Sequence, residues 1–165
     1  MRFLIADDHV LVRRGMVELL AEEYPHCQFV EAGNVPESIE CILNNDLDLA
    51  VLDISMPGGT GLSVVEVASA ARPALPVLVV SMHPEDQYGP PAVRAGAAGY
   101  LSKEVAPSKL VEAVETLLAG GTYFSAFLRR VAAVKLATGF PQQARAKAGP
   151  AGATVASRAP TPRPV

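Results

Sequence analysis

Short apolar runs and longer amphipathic stretches alternate along the first 120 residues of this chain. Each apolar run has the length and composition of a strand that is buried on both faces. The predicted strands are residues 2–6, 28–32, 49–52, 77–80 and 98–102. Apolar residues at helical spacing fill most of the intervals between them. Strands that alternate with helices in this way predict an α/β fold, in which helices cover both faces of a parallel sheet.

The sequence defines some of these helices more clearly than others. Helical patterns run to about residue 23 after the first strand, over residues 35–43 and 61–71, and from Pro107 to the glycines at 120–121. We expect Leu11 on the buried stripe of the first helix and Leu43 on that of the second. Residues 84–94 differ, because Pro90 and Pro91 are unfavourable inside a helix. We therefore expect residues 84–90 to lie outside regular helix, which leaves a fourth helix of about one turn or none.

Polar residues stand at the carboxyl ends of the predicted strands. Asp7 and Asp8 follow the first strand, Asp53 the third, Ser81 the fourth and Lys103 the fifth. Right-handed crossovers place all of these strand ends at one edge of the sheet. Asp53 alone could simply cap the next turn, and Ser81 or Lys103 could each be an ordinary surface residue. Five such residues at one edge favour a functional site.

The chemistry of this cluster fits a phosphoryl group bound beside a magnesium ion. Three neighbouring carboxylates repel one another unless a cation joins them, and their hard oxygen atoms suit Mg²⁺. The amine of Lys103 and the hydroxyl of Ser81 can both contact phosphoryl oxygens. Asp53, the central carboxylate, can itself be a nucleophile that forms an aspartyl phosphate.

Charge and composition divide the chain into two parts. Residues 1–115 contain all 17 acidic residues and 7 of the 14 basic ones, whereas residues 116–165 carry the other 7 basic residues and no acid. From residue 139 onward the chain is rich in alanine and proline, and it has too few large apolar residues to bury a core. The sequence has no apolar run of the roughly 20 residues that cross a membrane, and no signal-peptide pattern, so we expect a cytoplasmic protein.

These patterns predict three segments. Residues 1–121 form the α/β domain, residues 122–138 form a linker or an extra helix, and residues 139–165 form a disordered basic tail. The extra helix spans residues 125–138, and its apolar stripe consists of Phe124, Phe127, Leu128, Val131 and Val134.

Four stretches of this sequence occur together, in this order, in one known family. They are Asp7-Asp8-His9, Leu52-Asp53-Ile54-Ser55-Met56-Pro57-Gly58, Val80-Ser81-Met82-His83 and Ala95-Gly96-Ala97-Ala98-Gly99-Tyr100-Leu101-Ser102-Lys103. With them, residues 1–121 resemble the receiver domain of two-component response regulators, in particular the LuxR/NarL-type transcription regulators. The resemblance implies the flavodoxin-like strand order 2-1-3-4-5, and a signalling switch and not an enzyme.

The resemblance also implies how the acidic residues act. Asp53 would accept a phosphoryl group from a sensor histidine kinase. Asp8, Asp53 and the backbone carbonyl of Ser55 would hold Mg²⁺, with Asp7 acting through water.

Three further residues take roles in the response to phosphorylation. The resemblance implies that Lys103 pairs with the phosphoryl oxygens, that Ser81 shifts toward them, and that Tyr100 changes rotamer with Ser81. A plain alternative for Tyr100 is a half-buried strand aromatic. Receivers of this type often pair through the fourth helix, fifth strand and fifth helix. A homodimer is therefore possible, but the proline-rich fourth helix predicts that it is weak.

The C-terminal region departs from regulators of this type. They carry a helix-turn-helix domain after the receiver, whereas the alanine- and proline-rich tail of this chain cannot form a helix pair. We therefore expect the helix-turn-helix domain to be missing or replaced, whether naturally or in a truncated or frame-shifted product. The basic residues of the tail allow only weak, salt-sensitive contact with nucleic acid, so specific DNA binding is not expected.

Two other functions stay open on the sequence alone. Haloacid dehalogenase-like phosphotransferases also use Mg²⁺ and a strand-end aspartate, but they need a second acid two residues later, where this chain has Ser55. An adaptor that binds its partners without phosphorylation is compatible with the altered fourth helix.

The tail gives the first testable prediction. Residues 141–165 should exchange their amide hydrogens rapidly and should not select a DNA sequence, because they lack the apolar residues needed to bury a core. Amide exchange by mass spectrometry and a salt titration of DNA binding would measure both properties. Sequence-selective binding that survives moderate salt would contradict the prediction.

Overall fold

Five parallel strands form the centre of the fold in a computed structural model that describes residues 1–138. The elements are β1 (Arg2–Ala6), α1 (Val10–Glu23), β2 (Gln28–Ala32), α2 (Val35–Asn44), β3 (Leu49–Leu52), α3 (Gly61–Ala71), β4 (Val77–Ser81), α4 (Glu85–Ala95), β5 (Gly99–Ser102), α5 (Ala106–Leu118) and α6 (Ala126–Ala137). The strand order is β2-β1-β3-β4-β5, which confirms the predicted α/β fold and its order. None of the described helices is long and apolar enough to cross a bilayer.

Two apolar cores lie on opposite faces of this sheet. Side chains alternate along each strand, so Leu4 and Leu52 face one core while Phe3 and Val51 face the other. Helices α2, α3 and α4 close the first core, and α1 and α5 close the second. Because both faces of β3 are covered, all four of its residues are buried. Each buried leucine or valine stabilises the fold by about 1.5–3 kcal/mol.

The strand register brings the carboxyl ends to one edge. Ala6 of β1 pairs with Leu52 of β3, and Leu52 pairs with Val79 of β4. Ser81 pairs with Ser102, the last residue of β5. Residues 7, 8, 53 and 103 therefore leave the sheet on the same side, where Ser81 also lies, as the sequence predicted.

Two predicted core positions are wrong. Leu11 is 85% exposed. It stands well before the buried Met16 and Leu20 in α1, and at about 100° per residue it points roughly 140–180° away from them. Leu43 is 48% exposed. The buried stripe of α2 passes through Val35, Ser38 and Ile42, and a residue one position later on a helix points about 100° away from that stripe.

The prediction that residues 84–90 lie outside regular helix is also wrong. Helix α4 runs from Glu85 to Ala95 and contains both Pro90 and Pro91. The prolines lack N–H groups, so they cannot donate hydrogen bonds to the carbonyls four residues earlier. Those carbonyls belong to exposed residues, and water can reach them. Gly89 has no Cβ to clash with the ring of the next residue. Burial of the following residues in the core outweighs the local cost of the prolines.

Helix α6 follows the domain at the predicted place but packs through a different face. The hydroxyl of Ser125 accepts a hydrogen bond from the Leu128 backbone N–H and caps the helix. Leu128 is fully buried, whereas Phe127 and Val134 are 41% and 62% exposed, so the predicted stripe is only partly right. Helix α6 packs on α4 through one side, and Phe127 and Val134 both lie on the opposite side. The predicted tail, residues 139–165, lies outside the described residues.

The prolines in α4 lead to a prediction about stability. Replacing both Pro90 and Pro91 with alanine should leave the helix boundaries unchanged and restore two backbone hydrogen bonds. We expect the free energy of unfolding to rise by roughly 1–3 kcal/mol, after allowance for the greater entropy of the unfolded chain. Urea denaturation of the variant and the parent would measure the difference. A less stable variant would show that the prolines are needed for the packing of α4.

Candidate acidic site at the carboxyl edge of the sheet

Three carboxylates and one imidazole meet at the carboxyl edge of the sheet. Each of Asp7, Asp8, His9 and Asp53 offers a candidate ligand atom, and these atoms lie within 4.8 Å of one another. Asp7 is fully buried and Asp53 is 3% exposed. Burying carboxylates is costly unless opposite charge or hydrogen bonds compensate, so this arrangement needs a cationic partner.

Lys103 supplies part of that compensation. Its Nζ lies 2.7 Å from Asp53 Oδ2 and 2.8 Å from Asp7 Oδ2, and only 9% of its side chain is exposed. Burial by itself lowers the pKa of Lys103, but hydrogen bonds and charge interactions with Asp53 and Asp7 outweigh burial, so the pKa is raised. The stabilisation from these pairs is therefore fully present below the ordinary lysine pKa and is lost as the pH rises through the raised value.

The remaining charge fits a bound metal ion. Three carboxylates and one ammonium group leave two negative charges uncompensated, if the imidazole is counted as neutral. Asp8 Oδ1 is buried and accepts no hydrogen bond from the described residues, although Nδ1 of His9 lies 3.1 Å from it. Carboxylate oxygens of this kind are the ligands that Mg²⁺ prefers. The site could hold such an ion.

The turn after β3 is fixed by backbone contacts that hold Asp53 in place. The N–H of Asp53 donates to the carbonyl of Ala6, at 2.9 Å, and the N–H of Ser55 donates to Asp53 Oδ1, also at 2.9 Å. Gly61 comes so close to this turn that an added Cβ would lie 2.4 Å from the carbonyl oxygen of Asp53. A glycine is therefore required at position 61. Ser55 lies beside the acidic cluster, and the role of its carbonyl as a metal ligand stays a prediction.

The two predicted switch residues are linked through one backbone segment. The buried hydroxyl of Ser81 accepts a hydrogen bond from the N–H of His83, at 3.0 Å. The hydroxyl of Tyr100 donates to the carbonyl of His83, at 2.9 Å. Tyr100 is 4% exposed, and burial raises the pKa of its phenol, which therefore stays a neutral donor. The plain alternative of a half-buried aromatic does not describe Tyr100, because it is buried and hydrogen-bonded.

Sequence reasoning missed three residues that contact the site. The ring of His9 lies 3.2 Å from Asp7 Oδ1 and 3.1 Å from Asp8 Oδ1. The guanidinium of Arg13 donates to the backbone carbonyl of Asp7, at 2.6 Å. Arg13 follows His9 by four residues, so helical spacing was the available signal.

His83 is the third of these residues. Its Nε2 contacts the hydroxyl of Ser55, and its ring stacks on that of Tyr88, with 4.2 Å between ring centroids. The sequence signals were its place two residues after Ser81 and its position in the family stretch Val80-Ser81-Met82-His83. Such a signal does not reveal which side chains the ring touches.

A sequence comparison decides the family of this domain. The response regulator receiver domain matches residues 3–115, which include every site residue described above. The chain belongs to the response regulator receiver family. The relatives of this receiver are LuxR/NarL-type transcription regulators, as the sequence motifs suggested.

Several regulators of known name are similar to this receiver chain. The transcriptional regulatory protein UhpA of Salmonella typhimurium is 36% identical over 136 residues, which are 82% of this chain and 65% of that protein. The glycerol metabolism activator of Pseudomonas putida is 31% identical over 123 residues, which are 74% of this chain and 56% of that protein. The chain therefore spans less than two thirds of the length of these relatives.

Solved structures show the same fold. A LuxR-family two-component response regulator from Aurantimonas sp. SI85-9A1 is 30% identical, with a TM-score of 0.70, and the match covers 82% of this chain and 97% of that one. A CheY-like receiver domain protein from Methanospirillum hungatei JF-1 is 27% identical, with a TM-score of 0.67, covering 72% and 94%. The fold of this receiver is therefore the fold of its family.

The double ion pair of Lys103 leads to a prediction. From the sequence alone, we would expect a lysine at a strand end to serve the phosphorylated state more than the fold. The structure gives it a part in the unphosphorylated fold, because it separates two buried carboxylates. Lys103→Met should lower the free energy of unfolding by roughly 3 kcal/mol without metal ions, and added Mg²⁺ should stabilise this variant more than the parent.

Thermal and urea unfolding with and without Mg²⁺ would measure both effects. Lys109→Met is a matched control, because Lys109 is exposed and pairs only with Glu112 on its own helix. The control should unfold like the parent. Unchanged stability of Lys103→Met in the absence of metal would show that the buried pairs contribute nothing to the fold.

Proposed function

We propose that Asp53 accepts a phosphoryl group from a sensor histidine kinase, so that the receiver acts in a two-component phosphorelay. The observation that carries this proposal is the position of the Asp53 carboxylate. Its Oδ2 contacts Lys103 and its Oδ1 accepts the Ser55 N–H, while Asp7 and Asp8 lie beside it. This carboxylate is paired with an ammonium group, oriented and next to a place for a cation, which are the requirements of a phosphoryl acceptor.

The transfer needs no further reactant beyond the phosphorylated kinase. An oxygen of Asp53 attacks the phosphorus atom of the phosphohistidine, a P–O bond forms, and the imidazole leaves with the electron pair of the broken P–N bond. The amine of Lys103 then moves from Asp53 Oδ2 to a phosphoryl oxygen. Asp8, Asp53 and the Ser55 carbonyl would hold Mg²⁺, with Asp7 acting through water, and the ion would supply positive charge beside the transferred group.

The contacts of Ser81 and Tyr100 support their proposed part in the response. A phosphoryl oxygen on Asp53 is a strong acceptor, and the hydroxyl of Ser81 can turn to donate to it. The hydrogen bond from His83 to Ser81 must then weaken or be lost. Because Tyr100 donates to the same residue, His83, its ring is free to change rotamer when that segment moves. A buried chemical event thereby reaches the surface next to β5.

Exposed apolar side chains follow the site residues closely in the chain, which places them around the carboxyl edge of the sheet. Val10 and Leu11 begin α1 and are 53% and 85% exposed, Met82 follows β4 and is 66% exposed, and Val105 precedes α5 and is 45% exposed. A kinase that brings its phosphohistidine to Asp53 must contact this rim. We assign the rim to kinase docking, because exposed apolar groups gathered around a reactive group mark a protein interaction site.

Transcription regulation through this receiver, and its oligomeric state, belong to the proposal as well. The relatives described above are named as regulators and activators and not as enzymes, which supports a switch without turnover of its own. A homodimer through α4, β5 and α5 stays a proposal, and α6 packs on α4.

The two alternatives lose their support. The adaptor function depended on a disrupted fourth helix, and α4 is formed. The dehalogenase-like phosphotransferase is disfavoured by the receiver family match and by a serine at position 55.

The test is phosphorylation by a small-molecule donor. With acetyl phosphate and Mg²⁺, the parent should gain one phosphoryl group by intact mass. Asp53→Asn should gain none, because it lacks the nucleophilic oxygen, and Asp8→Ala should gain almost none, because it lacks a metal ligand. Asp46→Asn, an exposed acid on another part of the surface, is the matched control and should react like the parent. Equal labelling of the Asp53 variant and the parent would refute the proposal.

A further inference from the structure

The first two contacts between α6 and α4 lie near the start of α6. The hydroxyl of Ser125, which caps α6, donates a hydrogen bond to Oε1 of Glu85 in the first turn of α4. One turn later Leu128 packs against Gly89, so closely that an added Cβ at Gly89 would lie 2.6 Å from Leu128 Cδ2. Leu128 is fully buried in the core cluster that contains α4. The glycine therefore allows the two helices to touch.

The third contact lies near the end of α6. The Nζ of Lys135 donates to the carbonyls of Val93 and Arg94, at 2.9 Å and 3.3 Å, in the last turn of α4. Carbonyls at the end of a helix carry partial negative charge, so they bind a cation well. The carbonyl of Val93 also accepts the N–H of Gly96, at 3.1 Å. The contact partly buries this amine, and that burial lowers the pKa of Lys135.

His83 connects the phosphorylation site to the same helix. Its ring contacts the Ser55 hydroxyl beside Asp53 and stacks on Tyr88, the residue before Gly89. Its backbone is bonded to Ser81 and Tyr100, the two proposed switch residues. One residue thus contacts the loop after the acceptor, both switch residues and the part of α4 on which Leu128 packs.

We propose that α6 is a phosphorylation-sensitive latch on α4, and that His83 and Tyr88 transmit the change from Asp53 to it. This inference rests on the proposed function of Asp53. When Ser81 turns toward the phosphoryl group, His83 loses a hydrogen bond and shifts its ring from Tyr88. The first turns of α4 then move against α6, the contacts at Ser125 and Leu128 loosen, and the surface of α4 beneath α6 becomes available.

Thermodynamic linkage gives the latch a second, reciprocal property. If phosphorylation weakens the docking of α6, then weaker docking must favour the phosphorylated form by the same factor. A variant whose α6 is already loose should therefore bind a phosphoryl mimic more tightly, although the substitution is far from Asp53. A purely structural role for α6 predicts no such effect.

Amide exchange of the full chain, with and without Mg²⁺ and fluoroberyllate, tests the latch. Fluoroberyllate mimics the phosphoryl group, and its binding is measured separately by calorimetry. We expect amides in the first half of α6, residues 126–131, to exchange about fivefold faster or more in the bound form, while those of α5 do not change. Bound fluoroberyllate with unchanged exchange in α6 overturns the latch and leaves the proposed function standing. If the parent binds no fluoroberyllate, both proposals fall.

Three variants separate the latch from general stability. Leu128→Ala should expose α6 in the free protein and tighten fluoroberyllate binding about fivefold. Val134→Ala, on the exposed side of the same helix, is its control and should change neither. Tyr88→Leu keeps the apolar bulk but removes the ring that stacks on His83, so the mimic should bind while α6 no longer responds. Weaker or unchanged binding by Leu128→Ala, or a full α6 response in Tyr88→Leu, would overturn the proposal.

Discussion

Repulsion among the carboxylates at the sheet edge is the constraint on which the site depends. The fold places Asp7 and Asp53 in a buried position and Asp8 beside them, and one ammonium group cannot neutralise all three. Lys103 bridges two of them. A group that draws Lys103 away, or that adds positive charge, therefore changes the electrostatic energy of all three carboxylates. A transferred phosphoryl group does the first and a metal ion does the second. The resting site is therefore held together by an interaction that the proposed chemistry rearranges.

The parallel sheet makes such a site possible because its stability comes mainly from its two faces, while the reactive residues lie at its edge. Both faces are buried in apolar cores, which supply most of the stability of the fold. The residue that follows each strand lies at the same edge of the sheet. Residues far apart in sequence therefore come together there without any long loop. The turns there can carry reactive side chains, since their backbone is held by bonds such as that from Asp53 to Ala6.

Burial on both faces leaves a strong pattern, which predicted the strands and the five residues of the edge. The strand order came from the family resemblance. It failed where the outcome depended on which side of a helix finds a partner. Leu11 and Leu43 are apolar but lie away from the buried stripes of their helices. Phe127 lies on the side of α6 opposite α4. Tertiary packing also overrode the local preference of the prolines in α4.

The contacts of His9 and His83 could not be predicted for a different reason. Each ring reaches side chains from another turn of the chain, and such a contact depends on rotamers that no periodic pattern records.

The prolines in α4 have a mechanical consequence. Pro90 and Pro91 remove two successive rungs of the backbone hydrogen-bond ladder, so this helix bends there at less cost than elsewhere. The half of α4 after the prolines is held by Val93, which is buried in the core, and by the hydrogen bond from Lys135. The half before the prolines carries Tyr88. Motion that enters at Tyr88 is therefore absorbed at the prolines. Helix α6 would therefore separate from α4 at its amino end and stay attached to it at its carboxyl end.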